Sequence, residues 1–435
     1  MTTRDEFDRH LAAWFEASAP SSEPELLLGQ VLARTARTRR RPAWRIPERW
    51  IPMSAITTRS AKVSQVPWRT LGLIALLAVA LIGGALLIAG TRRPPLPPPF
   101  GVAGDGKIFD SIDGDIFVRD SPTATKTALL AGSTVDDIPI MAYDGSKFVF
   151  TRQQDGRGEL WIADADGSHQ RRLDQPFSTI SWIDWAPSGS DVYVANENGQ
   201  RQMAIVPTDG SPSTTLDLGM AVQVPSHRPG HDDQILYKGK EAGDWGFYLV
   251  GRDGVDPQRL ALDPGFQTDP DYGAHRDEYF NGSAWASDGR RLLYYTLEPA
   301  LTSTAHPGFR IHLAEIGPAG EVLSDRTLVS DPSHRNEFNA SWLPTEDGIL
   351  FQVEEDGRHT LEVAPLGDAL GPARDLGVQG ADWISSVIAP DGQSVIVAVP
   401  AVPGGRQSMS IVDLASLTDT PLAVGPDVSW QRVAR

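Results

Sequence analysis

The sequence predicts an all-β fold, a seven-bladed β-propeller, preceded by one transmembrane helix and a short cytosolic helical segment. Three observations predict it. A phrase of turn, strand, strand and Asp/Gly turn recurs about every 40 residues through the C-terminal three-quarters of the chain. Those repeats carry strand patterns and no helical stretch, as four-stranded blades require. Finally, the first repeat lacks its opening strand and the last residues resemble that missing strand. Six or eight blades are the alternatives.

Residues 1–70 are read as a cytosolic basic segment. They hold 12 of the 39 Lys/Arg and 7 of the 56 Asp/Glu, which leaves 27 basic and 49 acidic residues beyond. Phe7, Leu11, Trp14 and Phe15 share one helical face, and Ser22-Glu-Pro-Glu25 is a helix start before Leu27, Leu28, Val31 and Leu32. Two helices this short cannot hold a core alone, so the unit needs a partner or a membrane surface.

Residues 71–90 read LGLIALLAVALIGGALLIAG, 20 positions without a charge. At 1.5 Å per residue such a helix spans about 30 Å, the hydrocarbon thickness of a bilayer. With 70 residues ahead of it, the segment reads as an uncleaved signal anchor. Nine Lys/Arg lie between Arg37 and Arg69, against Arg92, Arg93 and Lys107 in the 20 residues after the span. The positive-inside bias then places the N-terminus in the cytoplasm and the repeats outside. Residues 91–103 form a Pro-rich linker, whose Pro94-Pro-Leu-Pro-Pro-Pro99 favours an extended strut.

Residues 104–435 hold the repeats. One copy runs from Trp185-Ala-Pro-Ser-Gly189 through Val192-Tyr-Val194 to Thr208-Asp-Gly210. Others pass through Trp285-Ala-Ser-Asp-Gly289 and Ala389-Pro-Asp-Gly392. Ile162-Ala-Asp-Ala-Asp-Gly-Ser168 with Arg171-Arg-Leu173 resembles the TolB-type, WD40-like repeat of bacterial propellers. The layout of short helical unit, span and outer domain resembles membrane-anchored anti-sigma-like regulators. The zinc-binding His/Cys signature of many such regulators is absent, because the chain has no cysteine. For residues 1–70 two readings stay open, a topology-setting basic tail and a regulator hairpin that would bind a sigma-factor-like partner.

At the ends, no opening phrase precedes Lys107-Ile-Phe109, while Pro426-Asp-Val-Ser-Trp-Gln-Arg-Val433 lacks a continuation. The C-terminus is therefore expected to complete the N-terminal blade. Closure removes open sheet edges that would otherwise pair with other chains.

The chemistry is sparse. Net charge is −17, and the acidic outer part disfavours nucleic acid. Gly101-Val-Ala-Gly-Asp-Gly-Lys107 has P-loop spacing, but Ile108 stands where Ser or Thr would hold Mg²⁺, and a strand follows instead of a helix. Asp164-Ala-Asp166-Gly167 lacks the glutamate that closes a calcium loop and reads as a turn. No cofactor or metal is expected. One near-duplicate stands out: His275-Arg-Asp-Glu-Tyr279 before the fifth blade and His334-Arg-Asn-Glu-Phe338 before the sixth. His275, Arg276, Glu278, His334, Arg335 and Glu337 could converge at one channel mouth as a ligand site, or bridge blades structurally. The expected function is a non-enzymatic binding or sensing module for a protein, peptide or glycan, with possible relay to the cytosol. The alternatives are a propeller lyase or hydrolase using the His/Glu mouth, and an envelope scaffold.

Overall fold

The structure is a computed structural model. It describes residues 75–77, 97, 100–154, 156–196, 202–241, 244–262, 284–298, 308–328, 336–425 and 427–435. The chain divides into two units, Met1–Arg92 and Arg93–Arg435. Of the first, only residues 75–77 are described, and they are helical. The two N-terminal helices and most of the expected span lie outside the described residues. Among those described, no helix is long and apolar enough to cross a membrane.

The second unit forms seven four-stranded antiparallel sheets. Six are simple meanders, ordered from inside to outside as they occur in the chain. Their inner strands are Val135–Met141, Trp182–Trp185, Ala221–Arg228, Ala284–Trp285, Asn336–Trp342 and Ser385–Ile388, in blades 2 to 7. Blade 1 differs: its inner strand is the C-terminal Val428–Val433, paired with Gly104–Ile112. The seven-blade count and the expected closure are both seen.

Closure is tightly built. Trp430 lies opposite Ile108, and Ser429 Oγ accepts the Met141 amide of blade 2 at 3.0 Å. Asp110, fully buried, accepts the Gly425 amide at 2.8 Å, while Arg119 donates to the Ala423 carbonyl at 2.8 Å. A Cβ on Gly425 would collide with the Ser111 carbonyl oxygen, so only glycine fits where the chain enters its last strand.

The core is divided among the seams between blades. Val149, Leu160 and Ile162 of blade 2 pack against Trp185, Val192 and Val194 of blade 3. Ile108 and Trp430 of blade 1 meet Ile396, Ala398 and Met409 of blade 7. Both faces of each blade are covered, so central strands are apolar at consecutive positions, as in Val192-Tyr-Val-Ala195. The Asp166-Gly167 corner behaves as turn chemistry: Gly167 has φ +81° and Asp166 accepts the Ser168 amide.

Candidate functional site

All inner strands run the same way past a central channel. The chain enters each strand at one face of the disc and leaves it at the other. The two ends of the channel are built from different chemistry.

At the exit face the linker folds over the opening. Pro97 is buried. The Phe100 ring stacks on His227 at 5.2 Å and tilts against Tyr143 at 4.9 Å. Asp184 ties these blades together, accepting from the Tyr143 hydroxyl at 3.3 Å and lying 3.2 Å from His227 Nδ1. Burial, and then the Asp184 charge, hold the Tyr143 hydroxyl well above its usual pKa, so it stays a donor. Farther along, Arg432 donates to the Gly101 carbonyl at 2.7 Å, and the Ala103 amide donates to Pro390 of blade 7 at 2.9 Å. Residues 100–103 thus touch the exit ends of blades 1, 2, 4 and 7. Residues 100–103, at the end of the segment that the sequence reads as an extended strut, contact the propeller.

At the entry face, several large apolar side chains among the described residues are exposed. Trp182 and Trp383, at the start of the blade 3 and blade 7 inner strands, are each 42% exposed. Val135 and Ile138 of blade 2 are 48% and 39% exposed. Trp182 is held in place by its Nε1, which donates to the Pro225 carbonyl of blade 4 at 3.0 Å. Trp383 rests on Phe338 with ring centroids 4.9 Å apart.

Three inner strands share one irregularity. Register shifts interrupt the pairing at Asp137/Ile140, Gln223/Ser226 and Phe338/Ser341. At each bulge a non-glycine residue is left-handed: Ile138 at φ +53°, Val224 at +44° and Asn339 at +53°. For β-branched Ile and Val this backbone is strained, and such strain concentrates where a surface is shaped for use. The bulges re-aim the channel lining of blades 2, 4 and 6.

Beside the mouth, a cleft of 650 Å³ opens in the seam between blades 7 and 1. Asp137 and Asp427 lie on inner strands or their approach, Lys126 flanks the outermost strand of blade 1, and Arg406 precedes the third strand of blade 7. A second, smaller cleft of 420 Å³ lies between blades 2 and 3, lined by Arg157, Glu159, Arg172 and Gln175.

Of the six residues singled out from sequence, His275, Arg276, Glu278, His334 and Arg335 lie outside the described residues. Glu337 is described, on the blade 6 inner strand, and it is fully buried. It is placed within the packing of that strand and does not stand open at the mouth. Sequence reading missed Trp182, Trp383 and the seam cleft. The Ile138-Pro139 and Val224-Pro225 pairs were available signals, because proline inside a strand marks an edge or a bulge. Among the described residues, no group of three His, Asp or Glu is arranged to hold a metal ion.

No protein-family model matches the chain, and neither does any curated protein. Solved structures do match. The tricorn protease aligns with a TM-score of 0.52 at 12% identity, over 78% of this chain and 36% of that one. An oligogalacturonate lyase in complex with manganese aligns at 0.50 and 13%, over 74% and 92%. TolB from Acinetobacter baumannii aligns at 0.46 and 15%, over 74% and 81%. The likeness is one of fold. At such identities a propeller scaffold is shared and the chemistry of a site is not.

Proposed function

We propose that the chain is a membrane-tethered, non-enzymatic binding module that recognises a protein, peptide or glycan at its entry face. The carrying observation is the asymmetry of the channel. Residues 100–103 cover the exit end, while the entry end offers Trp182, Trp383, Val135 and Ile138 to solvent. Half-exposed Trp residues on a rigid frame are favoured anchors in recognition surfaces, since they bring large area with few rotatable bonds. The uncharged run at 71–90 would be the single-pass anchor, with residues 1–70 in the cytoplasm and the propeller outside. The cytosolic segment would then reach a sigma-factor-like partner, as the layout of anti-sigma-like regulators suggests.

Two experiments test this reading. The chain lacks cysteine, so single introduced thiols report topology cleanly. A membrane-impermeant maleimide should label the Val402→Cys variant in intact cells, and Ser18→Cys only after permeabilisation. The reverse pattern would overturn the orientation. For recognition, a partner cross-linked to the full-length chain should be lost on Trp182→Ala/Trp383→Ala without loss of thermal stability beyond a few degrees. Retention of that partner would remove the entry face as the surface.

A further inference from the structure

We infer that the seam cleft between blades 7 and 1 binds a short peptide with both termini free, its ammonium toward the channel and its carboxylate outward. This deepens the entry-face reading and rests on it. The argument begins with which charges around the cleft are already neutralised. Asp136 takes a two-pronged hydrogen bond from Arg152 at 2.6 and 2.7 Å, and Asp110 is paired with Arg119. Five charges in the lining remain without an ion-pair partner among the described residues: Asp137 and Asp427 on inner strands or their approach, Asp113 in the turn that follows Gly104–Ile112, and Lys126 and Arg406 beside outer strands.

Their neighbours are weak substitutes. Among the described residues the Asp137 carboxylate accepts only the Ile138 amide at 3.1 Å, and the Asp427 carboxylate a 3.4 Å contact from Ser111 Oγ. Lys126 lies over the Phe117 ring at 4.0 Å. Burial, and next the charge of Asp137, raise the Asp427 carboxyl above its ordinary pKa. A carboxylate whose ionisation a neighbouring carboxylate disfavours marks a place where an ammonium is stabilising.

Ile112, Met409 and Val424 supply an apolar lining between the two charged ends. The cleft volume falls in the range of small-ligand sites, roughly 300–1,000 Å³. Its entry loop is held by the Asp110–Gly425 and Arg119–Ala423 hydrogen bonds, so the site is preformed.

The test is calorimetric titration of the full-length chain with tri-L-alanine, N-acetyl-tri-L-alanine and tri-L-alanine amide. The unblocked peptide should bind, and each blocked form about tenfold or more weakly, the loss expected for one charge-assisted contact. Asp137→Asn/Asp427→Asn should erase the preference for a free amino end. Lys126→Met/Arg406→Met should erase the preference for a free carboxylate. Equal binding of blocked and free peptides, or no saturation at millimolar concentration, would overturn the proposal. The peptide series needs no variant, so a misfolded variant does not blunt it. Failure of the series while Trp182→Ala/Trp383→Ala still loses the cross-linked partner would sink the cleft alone and leave the entry-face reading standing.

Discussion

The exit face and the entry face are made from the same repeat and end up with opposite character. At the exit face Tyr143 and His227 meet at Asp184, and Arg228 donates to Gly289, Ile316 and Gly317 of blade 5. At the entry face, Trp182 and Trp383 stay half exposed and the seam cleft holds charges of both signs without ion-pair partners among the described residues. Residues that knit blades together serve stability, whereas apolar area and unpaired charge left on a rigid frame are suited to a ligand.

That contrast can be broken most severely at the closure. Truncation after Val424 removes the inner strand of blade 1 and leaves Ile108 and Phe109 on an open edge. Stability should fall by roughly 4–5 kcal/mol or more, beyond the range of ordinary point substitutions. An unchanged thermal transition would show that the ring does not depend on its last strand.

Gly425→Ala asks a narrower question of the same joint. The new methyl meets the Ser111 carbonyl, and the resulting shift should cost roughly 1–3 kcal/mol in a denaturant melt. An unaltered midpoint would mean that the closure loop is loose.

Phe100→Ala separates the two faces. Loss of its contacts with Tyr143 and His227 should cost about 1–2 kcal/mol and speed proteolysis of the linker, with entry-face binding unchanged. If binding changes as well, the two ends of the channel are coupled and the contrast needs revision.

The smallest effect is the pH response of Asp427. Its carboxyl is raised by burial and then by Asp137, so the unfolded chain releases this proton at lower pH than the folded one. The folded state then binds more protons, and its stability falls as pH rises above about 4 toward the raised folded value. Asp427→Asn removes that loss. Melts at pH 4 and pH 7 should show a variant at least as stable as its parent at pH 7, with the gap narrowing at pH 4. A variant clearly weaker at pH 7 would mean that the charged carboxylate is stabilising after all.

Much of the fold was legible because its signals are local. Val192-Tyr-Val194 and Ile349-Leu-Phe351 read as buried strands, and the Asp/Gly corners as turns, without knowledge of anything distant. Closure was legible from two incomplete repeats at the ends. The site was far less so. His275, Arg276, Glu278, His334, Arg335 and Glu337 stood out as a near-duplicate; of these the structure describes Glu337 alone, on the blade 6 inner strand and fully buried. Trp182 and Trp383 did not stand out, since nothing in their local pattern says that a channel passes beside them.

The sequence by itself determined the repeated blade, its strand order and the joining of the two ends, with seven the expected count, because alternation and turn chemistry act within a few residues. Only the tertiary structure decided which end of the channel is covered and where unpaired charge collects. Phe100 meets His227, and Asp137 meets Asp427, across separations that no local pattern encodes. Ring closure brings the first, second and last repeats side by side, and the juxtapositions at that seam exist only once the ring is complete.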